Sequence, residues 1–84
     1  MPVVTIGIIK GSMNEASKAE MIKRVSEVVA EIEARPNPKE NMLPWVYCIV
    51  EEIPFGNFGQ NGMAISPELL GAVKAGMIQV VMKK

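Results

Sequence analysis

The sequence predicts an α/β fold: a β-α-β protomer with parallel strands and a short C-terminal hairpin, which associates with further copies. Two β-branched runs enclose one long amphipathic pattern, and a glycine-bearing stretch follows the second run. Strand, helix and strand in this order form a right-handed crossover between parallel strands. The 84 residues are enough for one domain, and 49% of them are hydrophobic. A small monomer cannot easily hide so much apolar surface, so we expect self-association.

The first strand and the helix are the clearest elements. The continuous apolar run from Val3 to Ile9 is typical of a strand that is covered on both faces. Ser12 and Glu15 fit a capping box, which predicts a helix over 13–34 that ends before Arg35-Pro36. Helical spacing places four apolar residues on one face of this helix, namely Ile22, Val25, Val29 and Ile32.

The second half of the chain predicts shorter elements. After a loop over 36–44, the aromatic and β-branched run 45–53 predicts the second strand. Asn61-Gly62 indicates a hairpin turn, and we expect Ser66 to cap a helix from Pro67 to about Ala75. The apolar run from Met77 to Met82 fits either a strand or a continuation of that helix. We therefore treat residues 1–84 as one domain, with a core over 2–66 and a C-terminal extension over 67–84.

The composition excludes several classes of function. Histidine and aspartate are both absent, which removes His-dependent triads, His-ligated zinc sites and EF-hand loops. Nine basic residues balance nine acidic ones, and this zero net charge argues against a nucleic-acid partner. No apolar run is long enough to span a bilayer, and the start of the chain does not resemble a signal peptide. We therefore expect no membrane association, a cytoplasmic location and no metal ion.

Three further features have an ordinary structural explanation. Glycine recurs at every third position from Gly56 to Gly62, but the pattern matches no phosphate-binding loop and is typical of a turn. Cys48 lies within a predicted strand, where a buried structural thiol is expected rather than a nucleophile. Glu51 and Glu52 are adjacent in that strand and point to opposite faces, so they do not form a carboxylate pair. We expect both to be solvated or to protect a sheet edge.

Pro2 is the best candidate acid or base in a chain without histidine. Removal of Met1 would leave a secondary amine that the proline ring holds rigid. A plain α-amino group titrates at about 7.7 to 8.0, and an apolar surround lowers the pKa of an amine further. A neutral amine near physiological pH can take a proton from a substrate and return it elsewhere. While Met1 is present, the same nitrogen is a tertiary amide without a basic lone pair.

The whole pattern resembles the oxalocrotonate tautomerase family, within the tautomerase superfamily of N-terminal-proline enzymes. Met1-Pro2 before a strand, Lys10-Gly11 before the helix, and the stretch IVEEIPFGNFGQNG at 49–62 carry the resemblance, which spans roughly residues 2–66. It implies dimers or hexamers built as trimers of dimers. It also implies that Pro2 moves a proton between carbon and oxygen of a small enol or 2-oxo acid, without a cofactor. Phe58 falls at the aromatic position that keeps such a site dry.

Two positions depart from the family pattern. The family carries an arginine after the glycine that ends the first strand and another near the start of the second strand; here Ser12 and Tyr47 stand at these positions. A guanidinium grips a carboxylate better than a hydroxyl does, so the expected substrate is not a dicarboxylate. Lys10 offers a charge near the first position, and the Tyr47 hydroxyl offers a hydrogen bond to an enolate oxygen. Without a role in the site, Lys10 would be a solvated lysine at the end of the strand, and Tyr47 would pack at an interface between protomers.

Other functions stay open at this stage. Loss of the arginines also fits a non-catalytic oligomeric subunit with a binding or structural role, including one member of a hetero-oligomer. The same proline chemistry also fits hydration or dehalogenation of a small unsaturated acid, which release of halide or addition of water would reveal.

Overall fold

A computed structural model describes residues 1–77 of the chain. These residues divide into two compact units, the first spanning Met1–Glu52 and the second beginning at Ile53. The elements in chain order are β1 (Val3–Ile9), α1 (Glu15–Ala34), β2 (Tyr47–Ile53), β3 (Gly59–Gln60), β4 (Met63–Ala64) and α2 (Pro67–Lys74). Strands β1 and β2 form a parallel pair, and β3 and β4 form an antiparallel hairpin. The predicted fold is thereby confirmed.

Helix α1 begins later than the capping-box pattern predicts. Its N-cap is Asn14, whose side-chain oxygen accepts a hydrogen bond of 2.8 Å from the Ser17 amide. The predicted cap Ser12 instead donates its amide to the Ile9 carbonyl at 3.0 Å, which closes a turn after β1. Both Ser12 and Asn14 are good capping residues, and the chain uses the one that follows this turn. The helix ends at Ala34, one residue before Arg35, as predicted.

The buried face of α1 is centred on alanines rather than on its larger residues. Ala30 is fully buried and Ala34 is 7% exposed, and both lie on the helical row that begins at Ile22. Ile32 was predicted to lie on the apolar face, but it is 57% exposed. Small side chains permit the closest approach of a helix to its neighbours, so the alanines occupy the centre of the buried stripe. Ile8 and Ile9 of β1 complete the buried hydrophobic set within residues 1–77.

The parallel sheet has one covered face and one open face in the single chain. From Val3 to Gly7 in β1, and from Tyr47 to Glu51 in β2, odd-numbered residues are exposed and even-numbered residues are half-buried. This alternation follows from the two-residue period of a strand. The expectation that β1 is covered on both faces is therefore wrong for the isolated protomer. The open face includes Val3, Tyr47 and Ile49, which are about half exposed or more.

The segment before β2 is more ordered than a plain loop. Lys39–Asn41 and Leu43–Trp45 each form one turn of 3₁₀ helix, and Lys39 lies 3.8 Å from the Glu27 carboxylate of α1. Trp45 was predicted to start the second strand, but it ends the second of these turns, and β2 begins two residues later. A proline at position 44 favours this turn, because its ring fixes the backbone and removes an amide donor.

The second unit begins with a turn and a tight hairpin. Asn61 and Gly62 both have positive φ angles, 53° and 79°, as a two-residue type I′ turn requires. The turn pairs Gly59 with Ala64 across the hairpin, in agreement with the prediction from Asn61-Gly62. Helix α2 is capped by Ser66, whose hydroxyl accepts the Leu69 amide at 3.2 Å. Apart from Met77, the predicted 77–82 element lies outside the described residues.

Candidate functional site

Pro2 lies at the end of the parallel sheet where both strands begin, which we call the Pro2 end. It immediately precedes β1, and its carbonyl accepts a hydrogen bond of 3.0 Å from the Tyr47 amide, the first residue of β2. Pro2 is half-buried, whereas Met1 is 76% exposed. The backbone bond therefore holds Pro2 in a defined position, while the residue that precedes it is accessible from solvent.

Two aromatic residues lie at the same end of the sheet. Tyr47 is 52% exposed and belongs to the open face, and Trp45 is 53% exposed in the turn that leads into β2. The Trp45 amide donates to the Met42 carbonyl at 2.8 Å, so a backbone hydrogen bond fixes its turn. The structure thus brings Tyr47 close to Pro2, as the hypothesis of a shared site requires. Trp45 was not among the predicted site residues.

Lys10 and Ser12 lie at the opposite end of the sheet, which we call the Lys10 end. Eight residue steps separate Pro2 from Lys10 along the strand, which corresponds to about 26 Å at ~3.3 Å per residue. Lys10 is exposed, and Ser12 is half-buried in the turn that contains Gly11 at φ 85°. Within one protomer these two residues therefore do not reach Pro2.

The Lys10 end carries a cluster of charges that the sequence analysis missed. The Lys18 ammonium lies 2.6 Å from the Glu15 carboxylate and 2.5 Å from that of Glu52. Glu15 and Lys18 are three residues apart on α1, so their pairing was visible in the sequence. The contact with Glu52 joins residues 34 positions apart and depended on the fold. Glu52 was expected to be solvated or to protect a sheet edge, but the structure pairs it with Lys18.

The cluster perturbs the titration of two of its members. Hydrogen bonds to Glu15 and then to Glu52 raise the pKa of the Lys18 ammonium above its ordinary value. The hydrogen bond from Lys18 lowers the pKa of the Glu52 carboxyl, and the charges of Lys18 and Lys10 add to this shift. An open cleft of about 480 Å³ adjoins the cluster and is lined by Glu15, Lys18, Ala19, Ile22, Val50 and Glu52.

Phe58 lies in the second unit, where two backbone bonds fix its position. Its amide donates to the Phe55 carbonyl at 3.1 Å, and its carbonyl accepts from the Ile65 amide at 2.8 Å. The side chain is half-buried. Cys48 of β2 is a free thiol that is half-buried, less than the predicted full burial. Across residues 1–77 no cluster of three or more acidic or cysteine ligands could hold a metal ion, and no helix there could span a membrane.

Comparison with known proteins found solved structures with a similar fold. No protein-family model matches the chain, and no curated protein matches its sequence. A solved structure of an apo unfused 4-oxalocrotonate tautomerase is 26% identical, with a TM-score of 0.64 over 76% of this chain and 93% of that one. A further structure, of a 4-oxalocrotonate tautomerase homologue, is 19% identical at a TM-score of 0.62, over 76% of this chain and 90% of that one, and supports the fold alone.

The decisive likeness is to 4-oxalocrotonate tautomerase isozymes from Methylibium petroleiphilum. The identity is 30% and the TM-score 0.57, over 75% of this chain and 90% of that chain. The chain belongs to the 4-oxalocrotonate tautomerase family. The resemblance seen in Met1-Pro2 and in the hairpin is thereby confirmed at the level of the family. The matches cover about three quarters of this 4-oxalocrotonate tautomerase family member.

Proposed function

We propose that this chain is a cofactor-independent tautomerase of a small enol or 2-oxo acid, with Pro2 as the proton carrier after removal of Met1. The supporting observation is the position of Pro2 in a member of the 4-oxalocrotonate tautomerase family. It stands at the start of β1, fixed through its carbonyl by the Tyr47 amide, and behind an exposed Met1. Removal of Met1 converts the Pro2 nitrogen from an amide into a secondary amine without disturbing that hydrogen bond.

The proposed reaction needs one proton and one group to carry it. The neutral Pro2 amine takes the proton from the hydroxyl of a 2-hydroxy-2-enoic acid, which leaves an enolate and a protonated proline. The protonated proline then delivers that proton to the enolate carbon, while the oxygen becomes a ketone. The product is the 2-oxo acid, and the amine returns to its starting state. A positioned acid or base of this kind contributes about 10²- to 10⁴-fold to a rate.

The proposed site takes residues from more than one protomer. Lys10 lies about 26 Å from Pro2 of the same chain at ~3.3 Å per residue, and Ser12 follows in the next turn, so in the proposed site both serve a neighbouring protomer's Pro2. The open sheet face, which includes Val3 and Ile49, supplies apolar surface for such an assembly. We propose a dimer or hexamer in the cytoplasm, in which Lys10 binds the substrate carboxylate, Ser12 and Tyr47 donate hydrogen bonds, and Phe58 excludes water.

The first test is an intact mass spectrum before and after brief treatment with bromopyruvate, followed by a digest that locates the adduct. The proposal expects loss of Met1 and a label on Pro2. Cys48 is the internal control, because it is the one cysteine of the chain and the competing nucleophile. Label on Cys48 alone, or a retained Met1, would mean that the protein as prepared has no reactive proline.

Substrate turnover then tests the enzyme claim itself. Met1-free protein should ketonise an enol acid faster than buffer does, and Pro2→Ala should reduce this rate by about 10²-fold or more. The variant should keep the oligomeric state of the parent by size-exclusion chromatography. Equal rates for parent and variant would contradict the role of Pro2, and a dissociated variant would assign Pro2 a structural role.

The second candidate is a non-catalytic oligomeric subunit. Ser12 and Tyr47, in place of the two arginines, favour it. This candidate predicts no turnover by the pure protein, and turnover only in a hetero-oligomer whose other chain carries those arginines. Co-expression with such a chain, followed by purification through a tag on one chain, distinguishes the two functions.

A further inference from the structure

The Pro2 end of the sheet is aromatic rather than cationic. Trp45 and Tyr47 both expose about half of their surface there. Both arginines of the described chain face carboxylates of α1: Arg24 lies 2.6 Å from Glu20, and Arg35, just after the helix, lies 3.6 Å from Glu31. Lys39, in the turn that precedes Trp45, faces the Glu27 carboxylate at 3.8 Å. The basic side chains nearest the aromatic pair along the chain, Lys39 and Arg35, therefore already face carboxylates.

Chain geometry keeps Trp45 within reach of a substrate on Pro2. The Tyr47 amide nitrogen lies 3.0 Å from the Pro2 carbonyl oxygen. Trp45 stands two positions before Tyr47, and consecutive Cα atoms are ~3.8 Å apart, so the Trp45 Cα lies within about 13 Å of the Pro2 nitrogen. An indole side chain and an aryl-substituted enol acid together span such a gap.

From this arrangement we infer the substrate class: an enol or 2-oxo acid with a single carboxylate and an aromatic substituent, whose ring packs against Trp45 and Tyr47. The inference rests on the proposed function, because it assumes that the reacting end of the substrate lies at Pro2. Two aromatic faces contribute contact area and favourable ring geometry to a bound aryl group. They contribute no favourable charge to a second carboxylate, whose desolvation would be uncompensated.

Three substrates separate the effect of the ring from the effect of a second charge. Phenylenolpyruvate has an aryl group and one carboxylate, 2-hydroxypenta-2,4-dienoate has one carboxylate and no ring, and 2-hydroxymuconate has two carboxylates. We expect kcat/KM for the aryl substrate to exceed both others by at least about tenfold, equivalent to ~1.4 kcal/mol. Trp45→Ala should remove most of this advantage and change the non-aryl rate less than about twofold. Trp45→Phe should keep most of it, and Val28→Ala, at an exposed position on α1, is the matched control.

A binding measurement keeps the inference testable even if Pro2 does not turn over any substrate. Trp45 is the single tryptophan of the chain, so its fluorescence reports directly on the aromatic pair. Cinnamate, an unreactive aryl acid, should change this emission and bind at least about tenfold more tightly than crotonate, its non-aryl counterpart, a difference of ~1.4 kcal/mol.

The outcomes distinguish the two levels of proposal. Preferential binding of cinnamate without turnover supports the aromatic subsite and overturns the tautomerase. Turnover without any preference for the aryl substrate, or an equal loss on all three substrates in Trp45→Ala, supports the tautomerase and overturns the aromatic subsite. Equal affinity for cinnamate and crotonate overturns the subsite whether or not turnover is seen.

Discussion

The Pro2 end and the Lys10 end of the same two strands are held together by different interactions. At the Pro2 end, a backbone hydrogen bond joins Pro2 to Tyr47, and Trp45 and Tyr47 each expose about half of their surface. At the Lys10 end, the Lys18 ammonium joins Glu15 to Glu52, and Lys10 adds to the local positive potential. At ~3.3 Å per strand residue, Lys10 lies about 26 Å from Pro2, and the five steps from Tyr47 to Glu52 place the Lys18 cluster about 17 Å from the Pro2 end.

Within one protomer, the proposed proton carrier is therefore distant from Lys10 and from the Lys18 cluster. A site that uses both ends requires a second copy, in which the Lys10 end of one chain faces the Pro2 end of another. If the two ends work separately, changes at the Lys10 end should affect stability and leave turnover unchanged. Variants at each end can separate effects on rate, substrate binding and stability.

The largest expected effect follows from acylation of Pro2. Insertion of one lysine between Met1 and Pro2 leaves the proline ring intact but makes its nitrogen an amide. We expect turnover to fall by about 10²-fold or more, since the positioned base is lost, with unchanged thermal stability. Enol ketonisation rates and a melting curve measure the two quantities. Full activity in this variant would show that the chemistry lies elsewhere.

Phe58→Ala tests the proposed role of the Phe58 ring in keeping water from the proline amine. Loss of the ring should admit water and raise the pKa of the proline amine, because desolvation of the charged form is relieved. The acid limb of the profile of kcat/KM against pH should then move to higher pH. Phe55→Ala, at another half-buried aromatic residue of the same unit, is the control. An unmoved acid limb would exclude this role for Phe58.

A smaller effect is expected from Lys10→Ala. An exposed ion pair contributes about 0.2 to 1 kcal/mol, so KM for a carboxylate substrate should rise by up to about fivefold while kcat stays within twofold. The effect should fade at high ionic strength, where exposed charges are screened. Lys23→Ala, an exposed change on α1, is the matched control. An identical KM in both variants would exclude a role for Lys10 in binding the substrate carboxylate at a neighbouring protomer's Pro2.

The smallest expected effect concerns the stability of the Lys10 end and its dependence on pH. Glu52 has a lowered pKa, so its contribution is present above the ordinary value of 4.5 and is lost as the pH falls through the lower folded value. Lys18 has a raised pKa, so its contribution is present below the ordinary value of 10.5 and is lost as the pH rises through the higher folded value. Between about pH 5 and pH 10, the melting temperature of the parent should therefore be slightly higher than that of Lys18→Met.

The difference between the two melting curves should disappear towards both pH extremes. Glu20→Gln removes an exposed pair on α1 and serves as the control, because it leaves the contact between α1 and β2 intact. A constant difference at all pH values would indicate that Lys18 stabilises through the packing of its methylene groups rather than through its charge.

Local patterns in the sequence were enough to predict most of the fold. The Asn61-Gly62 turn, the Ser66 cap and the end of α1 each depend on neighbouring residues, and the structure has all three where they were predicted. The errors arose where two local solutions compete. Asn14 and Ser12 are both able caps, and the turn that closes after β1 decides between them.

Interactions between distant residues were beyond a local analysis. The contact of Lys18 with Glu52 and the bond of Tyr47 to Pro2 depend on the register of β1 and β2, which no local pattern defines. The exposure of Ile32 likewise depends on which row of α1 is buried, and small alanines mark that row less clearly than larger residues do. Pro2 was identifiable as a candidate because the chain lacks histidine and aspartate.

The Asn61-Gly62 turn is also a site of slow deamidation. Gly62 has no side chain to shield its backbone amide from the carboxamide of Asn61, and Asn61 is exposed. Asparagine is among the thermolabile residues. Attack of the Gly62 amide nitrogen on the Asn61 carboxamide carbon expels ammonia and forms a succinimide, which water opens to aspartate or isoaspartate. Isoaspartate lengthens the main chain within a two-residue turn and so disturbs the pairing of Gly59 with Ala64. Stored preparations should therefore accumulate an acidic form, visible by isoelectric focusing. In this form the hairpin is altered, while β1 and α1 are unchanged.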